Sequence, residues 1–330
     1  MKNKKLSVIV LCRNMKDYLS QCIDSVLKQQ YDNMEIILIN DSTIDPACKV
    51  MARYCSRYPE CVTMDVVDSD LLPGGARNRG LSLAKGEFVT YVDGDDWLNI
   101  GMYNTMMPYF SDDEVDMVVC DYNEVFMESK ETFSRQICSL PEGVFLPINT
   151  GDMFKNESYS WNTIFRRSLL DGIGFGFYEK TIYDDLAVHL PFAKSRKVAY
   201  VPHPMYQHRK HLDEITTNAG SERHLVIINI VAQLAKEFNE KVDMSVWKDK
   251  FNELLILYLF YYMHYLMLRG SVNMDAGILK LCADTFVKCG GWLPKEIKRY
   301  DLLELQLKSP VDALAALKQM KNNGAEAFVK

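Results

Sequence analysis

The length, composition and charge of this chain exclude several classes of protein. Its 330 residues are 48% apolar and 25% charged, enough for one large domain or a domain with a smaller appendage, each with a buried core. The formal net charge of −6 argues against a nucleic-acid-binding protein, which would normally present a basic face. Nine cysteines without a CxxC pair predict free thiols in a reducing compartment, and hence a cytoplasmic protein.

The first hundred residues have the pattern of alternating strands and helices. Leu6–Cys12 is a mainly apolar stretch typical of a buried strand, and an apolar stripe from Leu19 to Leu27 predicts an amphipathic helix. Further strands are predicted at Glu35–Ile39, Val62–Val67 and Glu87–Val92, and further helices at Asp45–Arg57 and Ala76–Ala84. This alternation predicts a mainly parallel sheet flanked by helices, with ligands at the carboxyl ends of the strands. Arg13, Asp41 and Asp93 follow three of these strands and are expected at one edge of the sheet.

The rest of the chain predicts an irregular segment followed by helices. Residues 111 to about 211 contain strand-like pieces and one helix, at Met117–Cys120, Trp161–Phe165, Val198–Val201 and Asp185–Ala193. From about Thr216 onwards the pattern is helical, at Glu222–Lys241, Trp247–Arg269, Ala276–Lys288 and Val311–Lys321. We therefore expect two domains, residues 1–215 and a helical C-terminal domain of residues 216–330.

The most apolar stretch of the C-terminal region is LLILYLFYYMHYLML, Leu254–Leu268, which only His264 interrupts. It is shorter than the roughly 18 uninterrupted apolar residues of a spanning helix. A helix that is apolar all round is either buried, part of a subunit interface or in contact with a membrane surface. Burial is the simplest interpretation, and a homodimer interface or a peripheral contact with the inner face of a membrane are the alternatives.

Three carboxylates follow the last strand of the alternating region, in GEFVTYVDGDDWL at Gly86–Leu98. Asp93, Asp95 and Asp96 would repel one another unless a positive group lies among them. Capping of a following helix would explain one or two of these acids. The alternative is Mg²⁺ or Mn²⁺ shared with a phosphate group, since such ions take one or two carboxylates and complete their coordination with substrate oxygens and water.

Four motifs in the first two thirds of the chain resemble those of the family 2 glycosyltransferases, which have the GT-A nucleotide-sugar fold. In chain order they are SVIVLCRN, EIILINDSTID, GGARNRGLSLAKGEFVTYVDGDDWL and YDDLAVHLPFAKSRKVAYVPHPMYQHR. The resemblance implies an α/β GT-A fold with a mainly parallel central sheet. Residues 1–110 would be its nucleotide-binding half and residues 111–215 its acceptor-side half.

The same resemblance implies a metal-dependent, inverting transfer of a sugar from a nucleotide diphosphate to a hydroxyl. The donor is expected to be a UDP-sugar, and the ion Mn²⁺ or Mg²⁺. A saccharide or lipid-linked saccharide in the synthesis of a bacterial surface polysaccharide or glycolipid is the implied acceptor.

Five residues of the donor site that the resemblance implies lie in the first hundred residues of the chain. Leu11 and Arg13, after the first strand, and Asp41, after the second, are similar to the family's pocket for the nucleotide base. Arg77 is similar to an arginine near the base and diphosphate, and Asp93 to the acid that contacts the ribose. The family usually has proline and an aromatic residue where this chain has Leu11 and Arg13, so the guanidinium of Arg13 could stack on the base or reach a phosphate.

The resemblance also implies a metal ligand and a general base. Asp95 is similar to the metal-binding acid of the D-x-D signature, with Asp96 either a second ligand or a helix cap. In IYDDLAVHL, Asp185 is similar to the base that takes the proton of the acceptor hydroxyl, and Asp184 is expected to cap the helix. Alternatively, both acids of this pair are caps or solvated side chains.

The segment HPMYQHRKH contains three histidines, but their spacing fits neither HExxH nor a zinc finger. The family often has an aromatic-x-aromatic-Arg segment near the diphosphate at this place. Tyr206, His208 and Arg209 are similar to it, which implies contact with the diphosphate or the acceptor.

Two other functions remain open. A sugar nucleotidyltransferase would carry a glycine-rich phosphate loop directly after the first strand, where this chain has LCRNMKDY. A non-catalytic subunit that binds nucleotide sugars and partners another transferase is the second alternative, although the presence of Asp93, Asp95 and Asp185 argues against it.

Overall fold

The structure, a computed structural model, describes residues 5–150, 153–154, 159–211, 220–268, 270–272 and 276–291. The backbone divides into two compact units, one within residues 1–218 and one within residues 219–330. The sequence predicts this division after residue 215. The predicted helix Val311–Lys321 lies outside the described residues.

Over its described residues, the first unit has a mixed sheet of ten strands with helices between them. The strands are β1 (Leu6–Leu11), β2 (Met34–Asn40), β3 (Val62–Val66), β4 (Phe88–Asp93), β5 (Trp97–Leu98), β6 (Val115–Phe126), β7 (Thr132–Arg135), β8 (Gly143–Phe145), β9 (Thr163–Arg166) and β10 (Lys197–Lys210). The helices are α1 (Leu19–Leu27), α2 (Ala47–Arg57), α3 (Leu72–Leu83), α4 (Met102–Met106), α5 (Arg167–Ile173) and α6 (His189–Lys194). Short 3₁₀ turns lie at Met107–Ser111, Pro147–Asn149 and Asp184–Val188.

The strand order is β3-β2-β1-β4-β9-β6-β10-β5, and the first four strands are parallel. β9 is antiparallel to both of its neighbours, whereas β6 and β10 are parallel to each other. β7 and β8 pair with β6 and β10 beside this path. The predicted α/β class with parallel strands flanked by helices is confirmed, and the antiparallel β9 joins the two parallel parts of the sheet.

β1 is the central strand of the parallel part and is buried on both faces. Val8, Ile9 and Val10 have no exposed surface, as expected for a strand that helices cover on both sides. α3 packs directly on this strand, since a Cβ atom at Gly80 would lie 2.2 Å from Cγ2 of Ile9. Leu11 pairs with Asp93 of β4, so the carboxyl ends of β1 and β4 lie side by side.

α3 begins earlier than the sequence predicts. The predicted helix begins at Ala76, directly after Gly74 and Gly75, which are poor helix formers. The helix instead begins at Leu72, with Pro73 in the first turn, where its missing N–H is no loss. Gly74 is required there by packing, since a Cβ atom would lie 2.0 Å from the carbonyl oxygen of Tyr178.

The second unit is helical over the residues that the structure describes. Its helices are α7 (Ser221–Lys241), α8 (Met244–Ile256), α9 (Met263–Leu268) and α10 (Ala276–Lys288), and a π-helical segment, Leu257–Tyr262, joins α8 to α9. The apolar stretch predicted as one helix therefore spans three segments. Leu254, Leu259 and Met263 are buried, and the π-helical segment packs with α7 and α10, so burial accounts for much of its apolar character. The homodimer and membrane-surface alternatives stay predictions.

None of the described helices combines the length and the apolar composition needed to cross a bilayer.

Candidate active site

The carboxyl ends of β1 and β2 bring Arg13 and Asp41 together. Nη1 of Arg13 lies 2.9 Å from Oδ2 of the buried Asp41 and 2.5 Å from Oδ1 of the exposed Asp70. The same Asp41 oxygen accepts the backbone N–H of Leu71 at 2.8 Å. Two carboxylates therefore hold the Arg13 guanidinium at the rim of the predicted base pocket, where it is partly exposed.

The turn between β4 and β5 lies unusually close to the end of β1. A Cβ atom at Gly94 would be only 2.3 Å from the carbonyl oxygen of Leu11, so a side chain at this position would push the turn away. The glycine between Asp93 and Asp95 thus allows the acidic turn to lie against Leu11, as expected for residues that share one ligand pocket.

Arg77 lies at the centre of a buried ionic cluster. Its Nη1 donates to Asp184, and its Nη2 lies 2.8 Å from Oδ1 of Asp93 and 3.9 Å from Oδ2 of Asp185. Only 2% of Arg77 is exposed, and its ring neighbour is Phe177, with the guanidinium carbon 5.6 Å from the ring centre. Both terminal nitrogens of Arg77 donate to carboxylates, and its predicted place near the base and diphosphate stays a prediction.

The cluster holds more negative than positive charge. Burial raises the pKa of the Asp184 carboxyl to about 6, although the adjacent Arg77 guanidinium opposes this shift. Burial also raises the pKa of Asp93, against the same guanidinium and with the other aspartates adding to the shift. A buried carboxylate excess of this kind favours protons or an additional cation. The prediction that Asp184 caps a helix is wrong, since no side-chain cap forms at the 3₁₀ turn Asp184–Val188.

Asp185 is oriented by a backbone N–H, whereas Asp184 is held by Arg77. Its Oδ1 accepts the backbone N–H of Ser160 at 3.0 Å, and 22% of its side chain is exposed. The paired acids therefore have separate environments, as expected for consecutive residues that point in different directions. Asp184 is buried with Arg77, whereas Asp185 has one oxygen fixed by the backbone and remains partly accessible.

Asp96 has no exposed surface and is bonded only to protein groups. Its Oδ2 accepts the hydroxyl of Tyr206 at 2.7 Å and lies 3.3 Å from Nδ1 of His208, and its Oδ1 accepts the backbone N–H of Arg209 at 2.7 Å. The chain continues after Asp96 into β5, so the helix-cap alternative is wrong. Both oxygens are engaged in holding β10 against the acidic turn, and this geometry favours a positioning role over that of a metal ligand.

Asp95, like Asp96, is paired with a histidine. Its Oδ2 lies 3.0 Å from Nε2 of His211, the residue that directly follows β10. The backbone oxygen of Asp95 accepts Nε of Arg209 at 2.5 Å. The loop that carries the predicted metal ligand is therefore fixed at both its backbone and its carboxylate.

Arg209 is held between two aromatic rings. Its guanidinium carbon lies 4.5 Å from the ring centre of Tyr18 and 4.6 Å from that of Trp97, and Nη2 donates to Oε1 of Gln21 at 2.7 Å. Arg209 is 97% buried, whereas His208, which contacts Asp96, keeps 23% of its side chain exposed. The predicted contact of these two residues with the diphosphate or the acceptor stays a prediction.

The donor set at Asp95 and His211 fits a divalent ion that also binds substrate. Adjacent ligands of an octahedral ion with bonds of about 2.1 Å lie about 3 Å apart, as do Oδ2 of Asp95 and Nε2 of His211. Carboxylate and imidazole are both ligands of transition metals. Nowhere in the described ranges do three or more His, Cys, Asp or Glu side chains form a metal-binding group, so an ion here needs further oxygens from a phosphate or from water.

Sequence reasoning missed two residues of this site. His211 was counted with the other histidines of its segment but not paired with Asp95, because nothing local indicates that the end of β10 lies against the turn after β4. The backbone N–H of Ser160 has no signal in the sequence at all, since any residue at that position supplies it.

The fold and the acidic residues at the carboxyl edge of its sheet define the GT-A class of nucleotide-sugar proteins. Residues 7–174, slightly more than half of the chain, match the model of glycosyl transferase family 2, and the protein therefore belongs to this family.

Two curated relatives indicate the range of this similarity. EpsH of Bacillus subtilis (strain 168), named as a glycosyltransferase, is 27% identical over 221 residues, which are 65% of this chain and 63% of EpsH. The matched part of this chain thus spans less than two thirds of EpsH. WfaP of Escherichia coli is 28% identical over 180 residues, 54% of this chain and 67% of WfaP. Its name is UDP-Glc:alpha-D-GlcNAc-diphosphoundecaprenol beta-1,3-glucosyltransferase.

A solved structure shares the fold. TarS 1–349 of S. aureus, in complex with UDP-GlcNAc, superimposes with a TM-score of 0.67 and 18% sequence identity. The alignment covers 86% of this chain and 80% of the TarS chain, and it confirms the predicted GT-A fold.

Proposed function

We propose that this protein is a metal-dependent, inverting glycosyltransferase that moves a sugar from a UDP-sugar to a hydroxyl group. The observation that carries the proposal is the Arg77 cluster, in which Asp93 and the pair Asp184–Asp185 meet around one guanidinium. An acid that follows the nucleotide-binding strands and an acid suited to proton transfer are thereby held in one site. A sugar nucleotide bound at Asp93 would have its reacting carbon within reach of a base on the acceptor side.

The donor pocket of the proposal uses the residues at the ends of β1 and β2. The carboxylate of Asp41 is a suitable acceptor for an imide N–H of uracil, and the partly exposed Arg13 guanidinium, held by Asp41 and Asp70, offers a planar surface beside it. The UDP-Glc in the name of WfaP and the UDP-GlcNAc bound to TarS support UDP as the nucleotide. Leu11 and Asp93 complete this side of the pocket.

Asp95 and His211 would hold the divalent ion, Mn²⁺ or Mg²⁺. Such an ion supplies Lewis-acid stabilisation of negative charge on a leaving diphosphate. Asp96 is proposed to keep Asp95 in place, since both of its oxygens accept bonds from β10. Arg209 is proposed to act in the same way through the Asp95 carbonyl, rather than by binding the diphosphate directly.

Asp185 is proposed as the general base. The Ser160 N–H fixes Oδ1, which leaves Oδ2 to accept the proton of an acceptor hydroxyl while the hydroxyl oxygen bonds to the anomeric carbon. The bond from that carbon to the diphosphate breaks on the opposite face, so the configuration inverts and UDP leaves. The name of WfaP supports an acceptor that is a saccharide on a lipid diphosphate, and hence a role in surface polysaccharide or glycolipid synthesis.

One assay separates this proposal from its alternatives. Purified protein is incubated with a panel of nucleotide sugars, with and without Mn²⁺, and the released nucleotides are measured. Release of UDP that requires Mn²⁺ supports a transferase. Formation of a nucleotide sugar and pyrophosphate from UTP and a sugar phosphate would indicate a nucleotidyltransferase instead. Binding of UDP-sugars without turnover, also in the presence of lipid-linked saccharides, would indicate the non-catalytic subunit.

A further inference from the structure

Three carboxylates lie within 4.0 Å of the guanidinium nitrogens of Arg77. Nη2 lies 2.8 Å from Asp93, which ends β4, and Nη1 donates to Asp184, which begins the 3₁₀ turn on the other side of the site. The distance of 3.9 Å from Nη2 to Asp185 brings the proposed base into the same cluster. One side chain therefore bridges the donor side and the base side.

We infer that Arg77 is a positioning residue that couples the donor-binding acid Asp93 to the base Asp185, with Asp184 as its anchor. This inference rests on the proposed function. It goes beyond what family resemblance implies for Arg77, which is a place near the base and diphosphate.

The packing around Arg77 is built for such a bridge. α3 approaches the loop before Asp184 so closely that a Cβ atom at Gly74 would lie 2.8 Å from Cβ of Asp184. Asn78, one residue after Arg77, fixes that loop with two bonds to the backbone of Phe177: its Oδ1 accepts the N–H at 2.7 Å and its Nδ2 donates to the carbonyl at 3.0 Å. The helix that carries Arg77 therefore also holds the segment that leads to the base.

The chemistry of the guanidinium suits this task. Its two terminal nitrogens donate to different carboxylates at fixed angles, which the single ammonium group of a lysine cannot reproduce. A buried arginine keeps its charge, so the cluster retains one positive centre whichever of its acids is protonated. Because Asp184 is buried with Arg77, its negative charge serves to orient the guanidinium and not to contact a substrate.

A consequence is that the two sides of the site are not independent. Replacement of Asp184 frees one end of Arg77 and lets Asp185 move, while Asp93 keeps its partner. Replacement of Arg77 loosens both sides. Residues that act through one shared partner give non-additive effects when they are changed together.

The test uses the isosteric variant Asp184→Asn, the variant Arg77→Lys and the double variant. For each, kcat and KM are measured for Mn²⁺-dependent UDP release from the preferred UDP-sugar, and the Kd of UDP by calorimetry. A displaced base costs on the order of 10²-fold in kcat. We expect Asp184→Asn to show a loss of this order with an unchanged Kd of UDP, and Arg77→Lys to lower kcat and weaken UDP binding together. The double variant should be no slower than Arg77→Lys alone.

Controls separate positioning from loss of fold. Glu179→Gln changes an exposed acid of the same loop and keeps its capacity to accept the bond from Asn78, so it should leave both kcat and the Kd of UDP unchanged. Thermal unfolding of each variant reports stability, and the conservative Asp184→Asn carries the test if Arg77→Lys does not fold.

The inference and the proposed function fail in different ways. Wild-type kcat in Asp184→Asn, or a raised donor KM with unchanged kcat in Arg77→Lys, would overturn the inference alone, since the latter is the behaviour of a ligand contact. A wild-type protein that neither binds UDP nor turns over any UDP-sugar would overturn the proposed function, and the inference with it.

Discussion

Arg77 and Arg209 are both buried beside the acidic edge of the sheet, but their surroundings are opposite in kind. Arg77 is surrounded by carboxylates, whereas Arg209 lies between the rings of Tyr18 and Trp97 and bonds to a backbone carbonyl and an amide. Loss of Arg77 would leave buried negative charges without their counter-ion. Loss of Arg209 would leave a slot between two rings and free a backbone turn.

The contrast teaches that one residue type serves two purposes in this site. At Arg77 the charge of the guanidinium matters most, because burial of Asp93 and Asp184 disfavours their ionised forms and the arginine counteracts this. At Arg209 the planar shape matters most, since it fills the gap between two rings and donates at its edge. The surroundings of Arg77 are therefore organised by electrostatics, and those of Arg209 by packing.

The largest effect is expected at the proposed base. Asp185→Asn preserves the shape and the bond from Ser160 but removes the proton acceptor, so transfer should fall by about 10²- to 10⁴-fold while UDP still binds. Steady-state kinetics and calorimetry measure the two quantities. Asp171→Asn, at an exposed acid of the same unit, is the matched control. Weaker UDP binding with normal turnover would remove Asp185 from the role of base.

The second-largest effect is expected at Arg209, whose bond to the Asp95 carbonyl holds the proposed metal ligand. Arg209→Met fills the slot between the rings but loses the bond to the Asp95 carbonyl, so the affinity for Mn²⁺ should fall by about 10- to 100-fold. Titration followed by electron paramagnetic resonance measures it without any turnover. Arg53→Met, at an exposed arginine beside the ring of Tyr54, should change nothing. Unaltered Mn²⁺ affinity in Arg209→Met would show that packing around Asp95 does not need the arginine.

The third prediction concerns the packing of α3, the helix that carries Arg77, against β1. Gly80→Ala puts a methyl group 2.2 Å from Cγ2 of Ile9, and such overpacking should lower the free energy of unfolding by about 1–3 kcal/mol. Urea denaturation measures this loss. Gly172→Ala in α5 meets no atom within 4 Å and should be neutral or slightly stabilising. Equal stability of the two variants would contradict the close packing of α3 on β1.

The smallest expected effect is on the pH dependence of the free energy of unfolding, which should differ between variants at the Arg77 and Arg209 clusters. The pKa of Asp184 is raised to about 6 by burial, so the folded state binds a proton that the unfolded state has lost above about pH 4. The free energy of unfolding should therefore fall as pH rises from about 4 to about 6, by at most about 1.4 kcal/mol per pH unit from this one group. Asp184→Asn should reduce that slope in chemical denaturation without metal, and Arg209→Met should not. An unchanged slope in Asp184→Asn would count against the raised pKa.

The sequence predicts the parallel half of this fold well because its signals are local. The segments predicted as buried strands, such as Leu6–Cys12 and Glu87–Val92, are mainly apolar, and the acids that follow them reach the predicted edge. The start of α3 was misplaced because tertiary packing of Gly74 against Tyr178 outweighs the low helix propensity of glycine.

The candidate site was predicted as a set of residues, but not as a set of contacts. The antiparallel pairing of β10 with β5 sets Tyr206 opposite Leu98, and only this pairing brings Asp96 under β10 and His211 beside Asp95. Pairing over such a separation leaves no local pattern in the chain. The motifs were enough to assign Arg77 and Arg209 to the site. Their burial could not be predicted, because it also depends on long-range contacts.

The hydroxyl of Tyr206 accepts the backbone N–H of Asp93 and donates to Asp96, which has a consequence for the order of folding during synthesis. Strands β1 to β4 leave the ribosome long before β10, and they can pair as soon as they emerge. The acidic turn, however, lacks its partners until residue 206 and its neighbours have been made. A nascent chain can thus carry formed parallel strands whose acidic turn is not yet fixed, and the contacts that fix the turn arrive with one late strand.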